Sequence, residues 1–397
     1  MTEAAQSRTN KIQWLTGYEE IATVLASKAF AEVTFKGLVP LLGHTIVTLE
    51  GEAHHQRRSL EGRLFVSNLL KQHEEGLIPE IIQTTLEPYL KAGRGDLVEI
   101  GQQVTSRIAA QVIGLDGLED QAATEEIVYL LSALVGGTSS THGERTPLTR
   151  RQARNRLKQD FIDPNLERRR RLVQQYKAAL LTRESLPRDL ITLLLLHRDN
   201  WTLPQIVAEV AFYAVAAVDT TATLIPHLMH ELWRYGEKYP ESLPRFSEPK
   251  FLRAAAAEAL RLHPVLPTLF RQATHPINIA GRYFVANEVV GLYIGKANQD
   301  KRIFGPGAGE FNPLRTVAAG IRRAGLSFGG GVHLCMGREL AIGTPDGEEE
   351  PALFGEAGLL AEALLRHGAR PDPTFTAPTP QLYQRDVFSH YPIIFEG

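Results

Sequence analysis

Residues 328–341 read Phe-Gly-Gly-Gly-Val-His-Leu-Cys-Met-Gly-Arg-Glu-Leu-Ala, and Cys335 within them is the only cysteine in 397 residues. A single thiol rules out an internal disulfide, a cysteine zinc site and a cysteine-held iron–sulfur cluster. What remains is narrow. Gly329 and Gly337, among the glycines of this run, let the backbone approach something large and flat. The cysteine opens what reads as a helix, whose first turn offers unpaired N–H groups and positive potential to a sulfur anion. Those are the conditions for a thiolate that serves as axial ligand to haem iron. The competing reading is a buried structural cysteine beside a glycine-rich turn. A dinucleotide loop would need a preceding strand and an acidic residue about 20 positions on, early in a βαβ unit; this run sits late in the chain.

The rest of the sequence bounds the body around that loop. Apolar residues make up 43% and the formal charge is −2, enough for a large core and without the basic balance of a nucleic-acid binder. The start, Met-Thr-Glu-Ala-Ala-Gln-Ser, is too polar for a signal peptide and no N-terminal stretch has membrane-spanning length. A cytoplasmic location is therefore expected, with no membrane span. Residues 18–26 form a short helix candidate, and from about residue 52 to 235 apolar positions recur every three or four residues. Pro204 suits the first turn of a long helix running from Thr202 toward Trp233. Strand-like pieces are few: 277–279, 283–285, 289–294 and 391–395. The pattern predicts a mainly α chain with small β-sheets, folded as one unit over 1–397. Arg168–Arg171 reads as a solvated helix face, and Arg57 and His55 as neighbours facing solvent or a redox partner.

The cysteine run resembles the signature of the cytochrome P-450 superfamily, Phe-x-x-Gly-x-His-x-Cys-x-Gly-x-x-Leu-Ala. Phe328, Gly331, His333, Cys335, Gly337, Leu340 and Ala341 fill every fixed place. The resemblance spans roughly residues 12–397 and implies the P-450 fold, with a long distal helix over the haem and the cysteine loop beneath it. It implies that Cys335 ligates haem b, that Phe328 packs near the ligand loop, and that His333 faces a propionate. Ala216-Ala217-Val218-Asp219-Thr220-Thr221 resembles the distal-helix patch in which Thr220 holds dioxygen and Asp219 relays protons. Many relatives have glycine where Ala217 stands, so the pocket is narrower here. Taken alone, Thr220 could instead bond back to a carbonyl one turn earlier, with Asp219 on the surface.

The same resemblance assigns further positions. His54, Arg58 and Arg271 join His333 as propionate partners. Glu258 and Arg261, in Glu-x-x-Arg followed by Leu-His-Pro, match the pair that braces the chain behind the haem. Many relatives complete that network with a later arginine; Glu310 lies near the expected place and Arg315 follows it, so the third partner stays open. Candidate substrate-pocket walls are Phe35, Leu38, Val39, Phe212, Val215, Ala216, Leu266, Thr268, Leu269, Leu382 and Tyr383, some of which are equally readable as core. Two departures stand out: the segment before the first strand is short, and Pro and Gly after Ala341 interrupt the expected helix, which predicts an acidic surface insertion at about 343–356.

The implied function is a soluble bacterial-type monooxygenase that hydroxylates or epoxidises a hydrophobic small molecule of terpenoid, steroid or aromatic type. It would use O2 and electrons from a ferredoxin with its reductase, or from a flavodoxin-type donor. A haem-thiolate enzyme of atypical outcome (peroxygenase, oxidative coupling or dehydration) is the alternative within the class. Family peroxygenases tend to lose the acid–threonine pair, which is present here. A non-catalytic haem sensor or ligand binder is the alternative of another class, and it would need neither Asp219 nor Thr220.

Overall fold

A computed structural model describes residues 12–135, 148–197, 201–344, 352–376 and 387–396. The elements that position the site are the strands β1 (Gln13–Leu15), β2 (Phe30–Glu32), β3 (Arg94–Asp96), β4 (Thr268–Ala273), β5 (Ile277–Ile279), β6 (Arg282–Phe284), β7 (Val289–Tyr293), β8 (Ala369–Pro371) and β9 (Pro392–Phe395). With them come the helices α1 (Tyr18–Ala26), α2 (Gly51–Glu61), α3 (Ile78–Ala92), α4 (Leu97–Ile113), α5 (Gln121–Val135), α6 (Asp163–Lys177), α7 (Leu190–His197), α8 (Leu203–Lys238), α9 (Pro249–Leu262), α10 (Arg338–Ile342) and α11 (Glu356–Arg366). The strands make a four-stranded sheet in the order β1-β7-β4-β2, a three-stranded sheet β3-β9-β8 and the hairpin β5-β6. Helix dominates and the sheets are small, as the pattern predicts.

The axis of the molecule is α8, 36 residues and roughly 54 Å long. Its start is fixed by a capping box, in which the Gln205 side-chain oxygen Oε1 accepts from the Thr202 N–H at 2.8 Å, and by Pro204 in the first turn. Pro226 sits inside the helix without ending it. α8 is long and apolar enough to cross a membrane by length and composition, but it is a core helix: α4, α5, α9 and α11 pack against it and most of its apolar stretch is buried. The closest of these crossings uses Gly101 of α4, where a Cβ would meet the Ala222 carbonyl oxygen at 3.4 Å. One apolar cluster gathers α3, α4, the C-terminal half of α8, α9 and α11. A second gathers α5, α7 and the N-terminal half of α8; a third lies between α1 and the four-stranded sheet.

Several expectations shift by small amounts or in kind. The strands expected at 283–285, 289–294 and 391–395 are found at 282–284, 289–293 and 392–395. β4 is not predicted at all, although its burial alternates strictly along Thr268–Ala273: its core-facing set, Leu269, Arg271 and Ala273, contains an arginine, which breaks the apolar alternation in sequence. The expected interruption after Ala341 is real, because α10 stops at Ile342 and helix resumes at Glu356. The two ends of the excursion are tied together: the Thr344 N–H donates to the Leu353 carbonyl at 3.0 Å and the Leu353 N–H to the Thr344 hydroxyl at 3.0 Å. Gly343 (φ 70°) and Gly355 (φ 80°) make that closure possible, since a Cβ on Gly355 would lie 2.2 Å from the Gly343 nitrogen. The buried Glu74 carboxylate accepts from the Phe354 and Gly355 N–H groups at 3.0 and 2.6 Å and so caps the restart of α11. The acidic interior of the excursion, 345–351, lies outside the described residues.

Candidate functional site

The ligand loop is a closed turn, in which the Cys335 N–H donates to the Phe328 carbonyl at 3.0 Å. Only glycine can occupy position 331: φ is 62° and a Cβ would fall 2.1 Å from the Leu25 carbonyl oxygen of α1. The Cys335 sulfur is densely surrounded by protein, yet one side of it remains open to solvent. Burial pushes its thiol up, while the N–H groups of Gly337 and Arg338 and the charges of Arg338 and Arg58 oppose the rise. A metal cation bound at this sulfur would displace its proton and favour the thiolate. A Cβ on Gly337 would sit in ordinary contact with the sulfur at 4.0 Å and the Phe65 ring at 3.8 Å.

The predicted propionate partners converge from three elements. His54 of α2, 4% exposed, lies against His333 with ring centroids 4.2 Å apart. Burial, then the neighbouring His333 and Arg58, push the His54 imidazole down to about 4, so it is neutral at pH 7. Arg58, one turn on, donates to the Leu334 carbonyl of the ligand loop. Arg271 of β4 is buried and pairs at 3.1 Å with Glu32, its cross-strand partner on β2. His333 Nε2 is buried, 3.3 Å from Glu50 Oε2 but without a well-directed hydrogen bond. An orphaned imidazole nitrogen, two arginines, a flattened glycine loop and a single thiol fit a thiolate-ligated haem with its carboxylates on this side.

On α8 the Thr220 hydroxyl donates to the Ala216 carbonyl at 2.9 Å, the back-bonded arrangement. Asp219 turns instead toward α4 and α5, lining a cavity of about 10 Å³ with Gln102, Val128, Leu131, Ser132, Val215 and Val218. Phe212 and Ala217 pack with Val215 at the edge of the second apolar cluster, as does Leu38 of the early loop, whose residues 36–42 are short helical turns. Phe35 and Val39 are partly exposed beside it, as are Leu266 and Thr268 elsewhere. Leu269 is 7% exposed and belongs to the sheet core, within 3.9 Å of where a Gly329 Cβ would lie. Leu382 and Tyr383 lie outside the described residues. A recess of about 410 Å³ is lined by α1, Ile303 and residues from Gly320 to Gly331, and it meets the ligand loop at Gly330 and Gly331.

The structure settles Arg315, which the sequence left open, corrects Arg57 and adds Glu356. Arg315 is the third partner behind the loop: its Nε donates to Glu258 Oε1 at 2.9 Å, beside Arg261. Arg57 does not face solvent. It is buried against Glu209 of α8 and lies 4.0 Å over the Trp201 ring, because the side of α2 next to the Arg58 side packs on α8. Glu356, the first residue of α11, is buried, hydrogen-bonds to Thr221, and has its carboxyl pushed up to about 8 by burial against that bond. The excursion separates Glu356 from the cysteine run and hides it from any spacing argument.

Glu356 gives a pH signature. A carboxyl raised from 4.5 to about 8 contributes stability fully present below pH 4.5 and lost as pH rises through 8. Glu356→Gln is therefore expected to flatten the decline in stability between pH 5 and 9, by up to about 1.4 kcal/mol per pH unit. Urea midpoints at both pH values check it; parallel pH slopes for the two proteins would refute the buried neutral carboxyl.

The lone thiol in its glycine-rich turn, with arginine and histidine side chains beside it, fits a haem-thiolate protein. The chain belongs to the cytochrome P-450 family, whose family model matches residues 8–343. Members carry thiolate-ligated haem b and act as monooxygenases. The chain is 24% identical over 339 residues to the biotin biosynthesis cytochrome P-450 of Bacillus subtilis (strain 168), covering 83% of this chain and 79% of that protein. It is 23% identical over 349 residues to pulcherriminic acid synthase of the same organism, covering 84% and 78%. Among solved structures, P-450BioI in complex with an acyl carrier protein ligated to hexadec-9Z-enoic acid superposes with a TM-score of 0.71 at 21% identity, covering 96% of this chain and 92% of that one. CalO2 gives 0.71 at 20%, covering 98% and 91%. At these identities the structural likeness speaks for the fold.

Proposed function

We propose that this protein hydroxylates or epoxidises a hydrophobic, mostly neutral small molecule in the cytoplasm. Electrons would come from a ferredoxin with its reductase or from a flavodoxin-type donor. Haem ligated by Cys335 supplies reductive activation of O2 and oxygen transfer. His54, Arg58, Arg271 and His333 hold the propionates, and Phe328 packs behind the loop. Glu258 and Arg261 keep the loop in register from behind. The partly buried side chains of Phe35, Leu38, Val39, Phe212, Val215 and Leu266, with the Thr268 hydroxyl among them, orient an apolar substrate and exclude water. Asp219 brings protons from the side of α4 and α5, and Thr220 delivers them at its hydroxyl oxygen.

The observation that carries this reading is the loop around Cys335, closed by its N–H on the Phe328 carbonyl and seated on Leu25 through Gly331. The Thr220 proton is committed to the Ala216 carbonyl, so proton delivery requires that bond to be exchanged, with the oxygen lone pairs left to accept. Thr220→Ala is expected to bind haem and substrate normally while product per reducing equivalent falls severalfold and hydrogen peroxide rises. Unchanged coupling would remove Thr220 from proton delivery, and undiminished ligand affinity with no turnover in either protein would point to a binder.

A further inference from the structure

The cradle assigned to the haem propionates already contains carboxylates of its own. Arg271, 5% exposed, is paired with Glu32, 4% exposed, across the β2–β4 register. Glu50, immediately before α2, joins the two halves: its Oε1 accepts from the Glu32 N–H at 2.6 Å and its Oε2 lies 3.3 Å from His333 Nε2. Glu50 thus touches the histidine of the ligand loop on one side and the strand that neutralises Arg271 on the other. Burial pushes the Glu50 carboxyl up, but His333, the Glu32 N–H and His54 outweigh it and leave it below the usual range, so it is anionic. Arg271 faces both protein carboxylates, Glu32 and Glu50, while Arg58 stands beside the Leu334 carbonyl of the ligand loop. The named permanent charges of the cradle cancel before any ligand arrives.

Resting on the propionate reading above, we propose that Glu32 and Glu50 are built-in counter-charges of this cradle. Glu32 neutralises Arg271 and Glu50 lies against His333, and a dicarboxylate porphyrin must compete with them. The physical consequence has a sign. A carboxylate within a few ångströms of a bound propionate repels it, and partial burial keeps solvent from screening that repulsion fully. The cations alone would grip haem more tightly than the protein does. A mere structural role for Glu50 predicts the opposite, because removing its charge would then loosen the cradle and speed haem loss.

The side chain of Glu50 is 43% exposed, so Glu50→Gln keeps its size and is tolerated by the fold. The test is the rate of haem transfer from the holoprotein to excess apomyoglobin, for wild type, Glu50→Gln and Arg58→Ala, each loaded with protohaem and with its dimethyl ester. With protohaem, Glu50→Gln is expected to lose haem roughly tenfold more slowly than wild type. With the dimethyl ester, which has no propionate charge, that difference should vanish. Equal or faster loss of protohaem from Glu50→Gln overturns the proposal, as does an equal slowing with the ester, which would trace to packing. Arg58→Ala separates the underlying reading: it should lose protohaem faster than wild type, and if it does not, the propionates lie elsewhere.

Discussion

Cys335→Ser is expected to fold, and its reduced carbon monoxide complex should lack the strongly red-shifted Soret band of thiolate-ligated haem, with oxygen transfer falling to background. The argument starts from the ligand's chemistry. Serine is nearly isosteric but its hydroxyl stays protonated near neutral pH, and an oxygen ligand does not donate charge to iron as sulfur does. The surroundings of Cys335 are tuned to an anion whose charge is shared with a metal: the Gly337 and Arg338 N–H groups and the Arg338 and Arg58 charges favour the thiolate, against burial. Without the metal, burial wins and the thiol is raised. The substitution leaves the loop's own scaffold intact, because the Cys335 N–H to Phe328 carbonyl bond and the Gly331 contact with Leu25 are backbone features. The stability cost should therefore be only about 1 kcal/mol. Absorption spectra with and without carbon monoxide, beside a thermal melt, decide the matter. A retained red-shifted band would mean that Cys335 is not the ligand, and loss of fold would mean the thiol is structural.

What could be read in advance follows from how local each requirement is. The cysteine loop is legible because one chemistry dictates residue types at fixed spacing over 14 positions. α8 is legible because a capping box, a first-turn proline and sustained apolar periodicity agree. β4 is not, because one of its buried positions is Arg271, whose burial makes sense only once Glu32 is known to sit across from it. Arg57 and Arg58 are adjacent and look alike, and only the packing of α2 against α8 commits one to Glu209 and leaves the other beside Leu334. Glu356 is invisible for a different reason, since a chain excursion breaks the spacing that would have tied it to Cys335. In each case the missing information is a contact between residues far apart in sequence.

The second large effect is expected at Arg261, where alanine should leave little folded, haem-retaining protein. Arg261 and Glu258 are both 0% exposed, and neither charge can be hydrated. Arg261 donates from Nε and Nη2 to the two Glu258 oxygens at 2.8 and 2.7 Å, and from Nη1 to the Asn298 and Ala308 carbonyls at 2.6 Å each. Alanine would leave Glu258 with Arg315 and the Asn312 N–H on Oε1 alone, while its Oε2 and two buried carbonyls lose their donor at once. Breaking a buried pair from one side costs about 3–5 kcal/mol, and each orphaned acceptor about 1–3 more. Against a typical total of about 5–15 kcal/mol, that is most of the stability. Arg315→Ala should be milder, because Glu258 keeps Arg261; its damage falls on the carbonyls of Phe304, Gly307 and Glu310 that Arg315 gathers. The network also reaches the ligand loop. Asn298, whose carbonyl Arg261 holds, donates to the Arg261 carbonyl and the Ser327 hydroxyl and accepts from the Leu326 N–H, one and two residues before Phe328. Haem retention should therefore fall in the order wild type, Arg315→Ala, Arg261→Ala, in step with melting temperature. If Arg261→Ala melts like wild type, the buried triad is not what fixes the chain behind the haem. If it melts early but keeps haem at full occupancy, the path through Asn298 does not set the loop.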